Sequence, residues 1–233
     1  MAHEQRDVDL GRRRLLHAAA IGALVGVGAQ AATPFATAEI AAAPTDLSPD
    51  AALKKLLDGN QRATTGKLTS IERDLAILRE HTVNKQEPFA AVLSCADSRV
   101  PVEMIFDQTI GDIFVTRVAG NIVTPEIIAS LEYGVAVLGV ETLLVLGHSN
   151  CGAVKAAMKA EEVPGQISTL YPHLRHAVQQ AGGSLEKAIE TNAKIQAELL
   201  RTSSTVIRAA VETRKLKVES GVYDLASGKV TIS

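Results

Sequence analysis

Two kinds of hydrophobic spacing alternate along the chain. Of three short runs, Phe89-Ala-Ala-Val-Leu-Ser94, Ile113 to Val118 and Thr142-Leu-Leu-Val-Leu146, the first and third have the length and side chains of strands buried in a parallel sheet, and the second reads as a further strand. Between the second and third runs the period changes: Ile127, Ile128, Leu131, Val135 and Leu138 form one apolar stripe on a helix that Thr124-Pro125-Glu126 starts and Gly139 ends. Further helices are predicted from Ser48-Pro49-Asp50 through Leu57 and beyond Gly59, from about Ser70 to Val83, and from Gly152 to Ala160. After a break at Pro164-Gly165, others run from Ser184 to about Arg201 and from Val206 to Arg214. Val218 to Asp224, a turn around Ser227-Gly228, and Val230 to Ile232 read as a terminal hairpin. The alternation predicts an α/β fold, a mostly parallel central sheet with flanking helices, N-terminal helices and a C-terminal hairpin.

The first residues depart from this pattern. Gly11-Arg12-Arg13-Arg14-Leu15-Leu16 precedes an Ala-, Gly- and Val-rich stretch through Val27, and small residues with Ala-x-Ala processing options follow. This order reads as a twin-arginine export signal over 1–38, cleaved after Ala38 or, as the alternative, after Ala31. The apolar run is short and glycine-rich for a transmembrane helix, so no stable membrane span is expected after cleavage; an uncleaved anchor is the alternative. Residues 39–233 are then expected to form one domain, exported to a periplasmic or extracellular compartment. Aromatic residues make up 3% of the chain, the formal net charge is -2 and the basic residues are scattered, which argues against a nucleic-acid partner.

The chemistry concentrates at two strand ends. Cys95-Ala-Asp97-Ser-Arg99-Val-Pro101 follows the first apolar run, and His148-Ser-Asn-Cys151-Gly152 follows the third. In an open α/β sheet, ligands collect beyond the carboxyl ends of the strands, so the two clusters can meet although far apart in sequence. Two thiolates and one imidazole suffice to hold a zinc ion and leave a fourth position for chemistry. The helix start beside Cys151 also favours the thiolate that zinc requires. A disulfide between the chain's two cysteines, or thiols buried for packing alone, are the alternatives. Strand-end placement and a histidine at ligand spacing favour zinc. Asp97 and Arg99 flank Ser98 in a turn where carboxylate and guanidinium can pair. Asp97 would then stay ionised, to accept a hydrogen bond from a water on the metal or to become a fourth ligand; a purely structural ion pair is the plainer alternative.

In this order and separation, the C-x-D-S-R-V-P and H-S-N-C-G clusters resemble the β-class carbonic anhydrases. The likeness continues through Gly111-Asp-Ile-Phe-Val-Thr-Arg117-Val-Ala-Gly-Asn121, Ser130-Leu-Glu-Tyr133-Gly-Val and Gly221-Val-Tyr223-Asp224, and covers about Ser48 to Ser233. It implies the β-carbonic anhydrase fold and a lyase that reversibly hydrates carbon dioxide to bicarbonate and a proton by attack of zinc-bound hydroxide. It also implies a homodimer or tetramer in which N-terminal helices embrace a second subunit. Residue by residue, the resemblance assigns Cys95, His148 and Cys151 to one zinc ion per subunit. Asp97 and Arg99 match the catalytic dyad, in which Asp97 orients the hydroxide or caps the metal as a ligand. Gln86 matches a substrate-bonding glutamine, and Phe114 and Tyr133 match positions lining the apolar cleft, with Ala119 and Gly152 nearby, Gly152 being counted with the substrate-binding residues. Some bacterial members carry a second, inhibitory bicarbonate site built from a Trp, an Arg and a Tyr. Arg117 and Tyr223 match it, but Val92 stands where the Trp would be, so an open site with water on the zinc is expected at neutral or alkaline pH. Two thiolate ligands offset the zinc's charge, and hydration is therefore expected to rise through about pH 7.5 to 8.5. His81, His173 and His176 could carry the proton away, the last two at i, i+3 spacing, although solvated surface histidines are the plainer reading. The alternative functions are hydrolysis of carbonyl sulfide or carbon disulfide, and non-catalytic binding of zinc or bicarbonate.

Overall fold

The computed structural model describes residues 47–70 and 82–233. The expected export signal, His81 and most of the helix expected over 70–83 lie outside the described residues. That helix's two end positions, Ser70 and Val83, are described and are not helical.

Five strands form one sheet: β1 (Ala90–Ser94), β2 (Ile113–Arg117), β3 (Thr142–His148), β4 (Lys217–Tyr223) and β5 (Val230–Ile232), in the order β2-β1-β3-β4-β5. The first four are parallel and β5 runs antiparallel to β4. The terminal hairpin is therefore present, but its first strand also extends the parallel sheet beside β3. From β1 the chain goes outward to β2, then crosses back so that β3 lies on the other side of β1. The direction of winding reverses between β1 and β3, which is where an open α/β sheet opens a crevice beyond its strand ends.

Helices cover both faces: α1 (Pro49–Thr64), α2 (Val102–Ile105), α3 (Pro125–Ala136), α4 (Gly152–Lys159), α5 (Tyr171–Gln180), α6 (Leu185–Ser203) and α7 (Thr205–Glu212). Because side chains alternate along a strand, β1 and β3 each feed two cores. Ala91, Leu93, Leu143 and Val145 pack with Ile127 and Leu131 of α3, Ala193, Ala197 and Leu200 of α6, and Ile207 of α7. Ala90, Val92, Leu144 and Leu146 pack on the other face with Ala52 and Leu56 of α1, Val102 and Ile105 of α2, and Phe106. The stripe expected on α3 is thus borne out at Ile127 and Leu131, with Ile128 and Val135 partly buried against the same core. Leu138 falls outside the helix, which ends at Ala136 before Gly139 turns the chain at φ 72°.

Helix α1 starts as its sequence indicates, with Ser48 Oγ accepting the Ala51 N–H at 3.2 Å and Pro49 in the first turn. Gly59 lets it approach the chain after α2, since a Cβ there would lie 1.8 Å from the Phe106 carbonyl oxygen. Buried Asn60 donates to the carbonyls of Ile105 and Gly228 and accepts the Val230 N–H, joining α1, α2 and β5. Asp107, whose side chain is fully buried, pairs with Arg62 at 2.5 Å and accepts the N–H groups of Thr69 and Ser70.

Candidate metal centre

The paired strands β1 and β3 release their chains side by side into two loops. Cys95 follows β1 directly, His148 is the last residue of β3, and Cys151 caps α4. All three are buried, and one ligand atom from each, the two sulfurs and a ring nitrogen, lies within 4.8 Å of the others. Both thiols are free, which sets aside the disulfide reading.

Each donor is presented by its backbone surroundings. His148 Nδ1 donates to the carbonyl of Ser149 at 3.0 Å, which leaves Nε2 as the bare lone pair. That Nε2 is buried and has no hydrogen-bond partner. A buried acceptor left empty is costly, and two sulfurs stand beside it, so the donor set fits a thiophilic metal such as zinc. Cys95 Sγ accepts the Gly120 N–H at 3.3 Å. A hydrogen bond from Cys151, opposed by burial and helped by His148 and the N–H groups of Gly120 and Asp97, lowers the Cys95 thiol to about 4.

The loops are clamped in place. Arg117 at the end of β2 donates from Nε to the Cys95 carbonyl at 3.0 Å and from its guanidinium to the Asp97 carbonyl at 2.6 Å. The second loop is held by the C-terminal hairpin: Ser149 donates its N–H to the Tyr223 carbonyl, and its Oγ accepts the Leu225 N–H, both at 2.9 Å. Asp97 and Arg99 form the expected pair, with Arg99 Nε 2.9 Å from Oδ1 and a second guanidinium nitrogen 2.7 Å from Oδ2. The Arg99 N–H also bonds Oδ1 at 3.0 Å, closing the turn around Ser98. These bonds, the Arg99 fork first, hold the Asp97 carboxyl well below the usual carboxylate range. Asp97 Oδ2 lies 3.8 Å from His148 Nε2, so the anion borders the metal cluster while engaged by Arg99.

A family model described as carbonic anhydrase matches residues 90–230. The chain belongs to the carbonic anhydrase family. It is 36% identical over 199 residues to a carbonic anhydrase of Mycolicibacterium smegmatis, covering 79% of this chain and 93% of that protein. Among solved structures it resembles the β-carbonic anhydrase CcaA with a TM-score of 0.63 at 25% identity, over 77% of this chain and 94% of that one. One of two tetrameric β-carbonic anhydrases from Sordaria macrospora superposes with a TM-score of 0.62 at 26% identity, over 68% of this chain and 86% of that one. The chain is accordingly a β-class carbonic anhydrase, a lyase, and its Cys95, His148 and Cys151 form a cluster that could hold a metal ion.

The remaining residues singled out from the sequence are dispersed in this carbonic anhydrase. Gly152 opens α4 next to Cys151, and an added Cβ would meet nothing within 4 Å, so space is free there. Phe114 and Tyr133 stand together, ring centroids 6.2 Å apart, with Tyr133 exposed on α3. Phe114 pairs in register with Ala91, four residues before Cys95 and thus about 13 Å back along the strand. Gln86 is exposed on the segment that enters β1 from the end opposite Cys95. Within one chain these three side chains are not gathered at the cluster. Val92 is fully buried mid-sheet, Arg117 is engaged by the loop carbonyls, and Tyr223 pairs in register with His148. His173 and His176 are exposed on α5. Sequence patterns point to none of the carbonyls that Arg117 holds, nor to Gly120 as a partner of sulfur, because each contact joins residues at least 20 positions apart.

Proposed function

We propose that this chain catalyses the reversible hydration of carbon dioxide to bicarbonate and a proton, with one zinc ion held by Cys95, His148 and Cys151. The observation that carries the reading is the bare, buried Nε2 of His148 facing two free thiols beside an ionised Asp97. Zinc bound there supplies Lewis acidity, lowering the pKa of a water so that hydroxide is furnished near neutral pH.

The protein's own groups account for the rest. Asp97, kept anionic by the Arg99 fork, accepts a hydrogen bond from the attacking oxygen and so fixes which lone pair faces the carbon. With both carboxylate oxygens engaged by Arg99, Asp97 serves as acceptor rather than as a fourth ligand, which favours an open site. The new C–O bond forms as electrons of one C=O bond move onto its oxygen, giving bicarbonate; the proton leaves to water. Carbon dioxide is apolar and uncharged, so it needs an apolar slot more than polar contacts. The dispersal of Gln86, Phe114 and Tyr133 supports a homodimer or larger assembly, in which a second copy completes that slot. The N-terminal signature supports twin-arginine export to a periplasmic or extracellular compartment, a route that carries a protein already folded around its metal.

The test is stopped-flow hydration of carbon dioxide by zinc-quantified protein, with Cys151→Ser alongside. Fast turnover, rising between about pH 7 and 8.5 because two thiolates moderate the metal's acidity, and abolished in Cys151→Ser, is the expected result. Full zinc occupancy without turnover would refute hydration as the activity and point to a carbon dioxide analogue or to binding alone.

A further inference from the structure

Helix α6 carries an otherwise apolar buried stripe, Ala188, Ile189, Ala193, Ala197 and Leu200, interrupted by two amides at i, i+4, Asn192 and Gln196, that are 1% and 0% exposed. Burying an amide without partners is unfavourable, so the partners state what the amides are for. Asn192 Nδ2 donates to the Gly120 carbonyl at 2.9 Å. Its Oδ1 accepts from Gln196 Nε2 at 3.0 Å, and Gln196 Oε1 accepts the Val123 N–H at 2.7 Å. Gln196 Nε2 also reaches the His173 carbonyl at 3.3 Å, which ties α5 into the same network. Both amides therefore grip the backbone of the segment after β2, and they grip it on either side of Asn121.

Gly120 is the point where this grip meets the metal cluster. It adopts φ 77°, and an added Cβ would press on Ala153 at 3.3 Å and Leu174 at 3.4 Å, so it sits in a slot shaped for glycine. Its carbonyl is held by Asn192, and its N–H is the donor to Cys95 Sγ at 3.3 Å. We infer that Asn192, braced by Gln196, is a positioning residue for the metal centre, aiming the Gly120 N–H at the Cys95 sulfur and thereby fixing that ligand's orientation and electron density. The inference rests on Cys95 being a metal ligand, as proposed above. An N–H bond to a ligating sulfur draws charge from it and restricts its direction, and outer partners of this kind commonly govern affinity by about 10- to 100-fold.

Cobalt(II) titration of the metal-free protein tests this by spectrum rather than turnover, because a thiolate ligand gives a sulfur-to-cobalt charge-transfer band whose energy follows the sulfur's hydrogen bonding. Asn192→Leu, which keeps volume and removes the donor, is expected to shift the band to lower energy and weaken cobalt binding about tenfold. Asn192→Asp, which keeps size and puts an oxygen where the donor stands, is expected to act in the same direction and carries the test should the leucine variant not fold. Leu200→Ala, a cavity two turns further along α6, controls for lost stability and should leave the band unmoved. A band at the wild-type position in a folded Asn192 variant overturns the inference alone, as does an equal shift in Leu200→Ala. A wild type without the band overturns both the inference and the metal-centre reading on which it rests.

Discussion

At the scale of single residues, ligands are legible in the sequence and their supports are not. Cys95, His148 and Cys151 stand out because two sulfurs and an imidazole at ligand spacing fall at the ends of two strands, and Asp97 and Arg99 because their pairing is local. Asn192 is 72 residues from Gly120, and in the sequence it is only a polar interruption of an apolar stripe. Asp107 is similar: nothing near it in sequence reveals that it will be buried against Arg62 and the backbone of 69–70. Burial pushes its carboxyl up, but the bonds from Arg62, Ser70 and Thr69 outweigh this and hold it well below the usual carboxylate range. A carboxyl depressed in the folded state contributes stability above its unfolded pKa of about 4 and loses it as pH falls toward the folded value. Asp107→Asn should therefore cost about 2 kcal/mol near neutral pH, and urea midpoints of wild type and variant should converge as the pH is lowered below about 4. A constant gap down to the lowest pH at which the protein folds would contradict this assignment.

Elements were readable where the chain punctuates itself. Ser48, Ser184 and Ser204 each cap a helix with their hydroxyl, and Pro49 and Pro125 stand in first turns. The break between α6 and α7 is one residue, Ser204, whose Oγ accepts the Ile207 N–H and donates to Glu132 of α3 at 2.6 Å. Sequence placed this break over several residues, because Glu132 is a tertiary partner. The second role of β4 was hidden for the same reason. Its hairpin partner lies a short turn away, whereas its parallel neighbour β3 is separated by four helices and is chosen by packing of α6 on the sheet.

For the whole molecule, alternation of short apolar runs with amphipathic helices was enough for the α/β class, and the strand order then explains why two distant clusters converge: β1 and β3 flank the point where the winding reverses. The residues at the other end of β1 and β2 are not explained by one chain. Light scattering on the protein should accordingly give at least the mass of a dimer, and a monomer at working concentration would contradict the proposed shared cleft. The central claim, however, concerns the three-ligand cluster, and stepwise zinc addition to metal-free protein with carbon dioxide hydration followed at each step tests it most directly. The account predicts no turnover without metal, a linear rise and a sharp plateau at one equivalent per chain. Turnover in the metal-free protein, or full zinc binding at one equivalent without hydration, would contradict it.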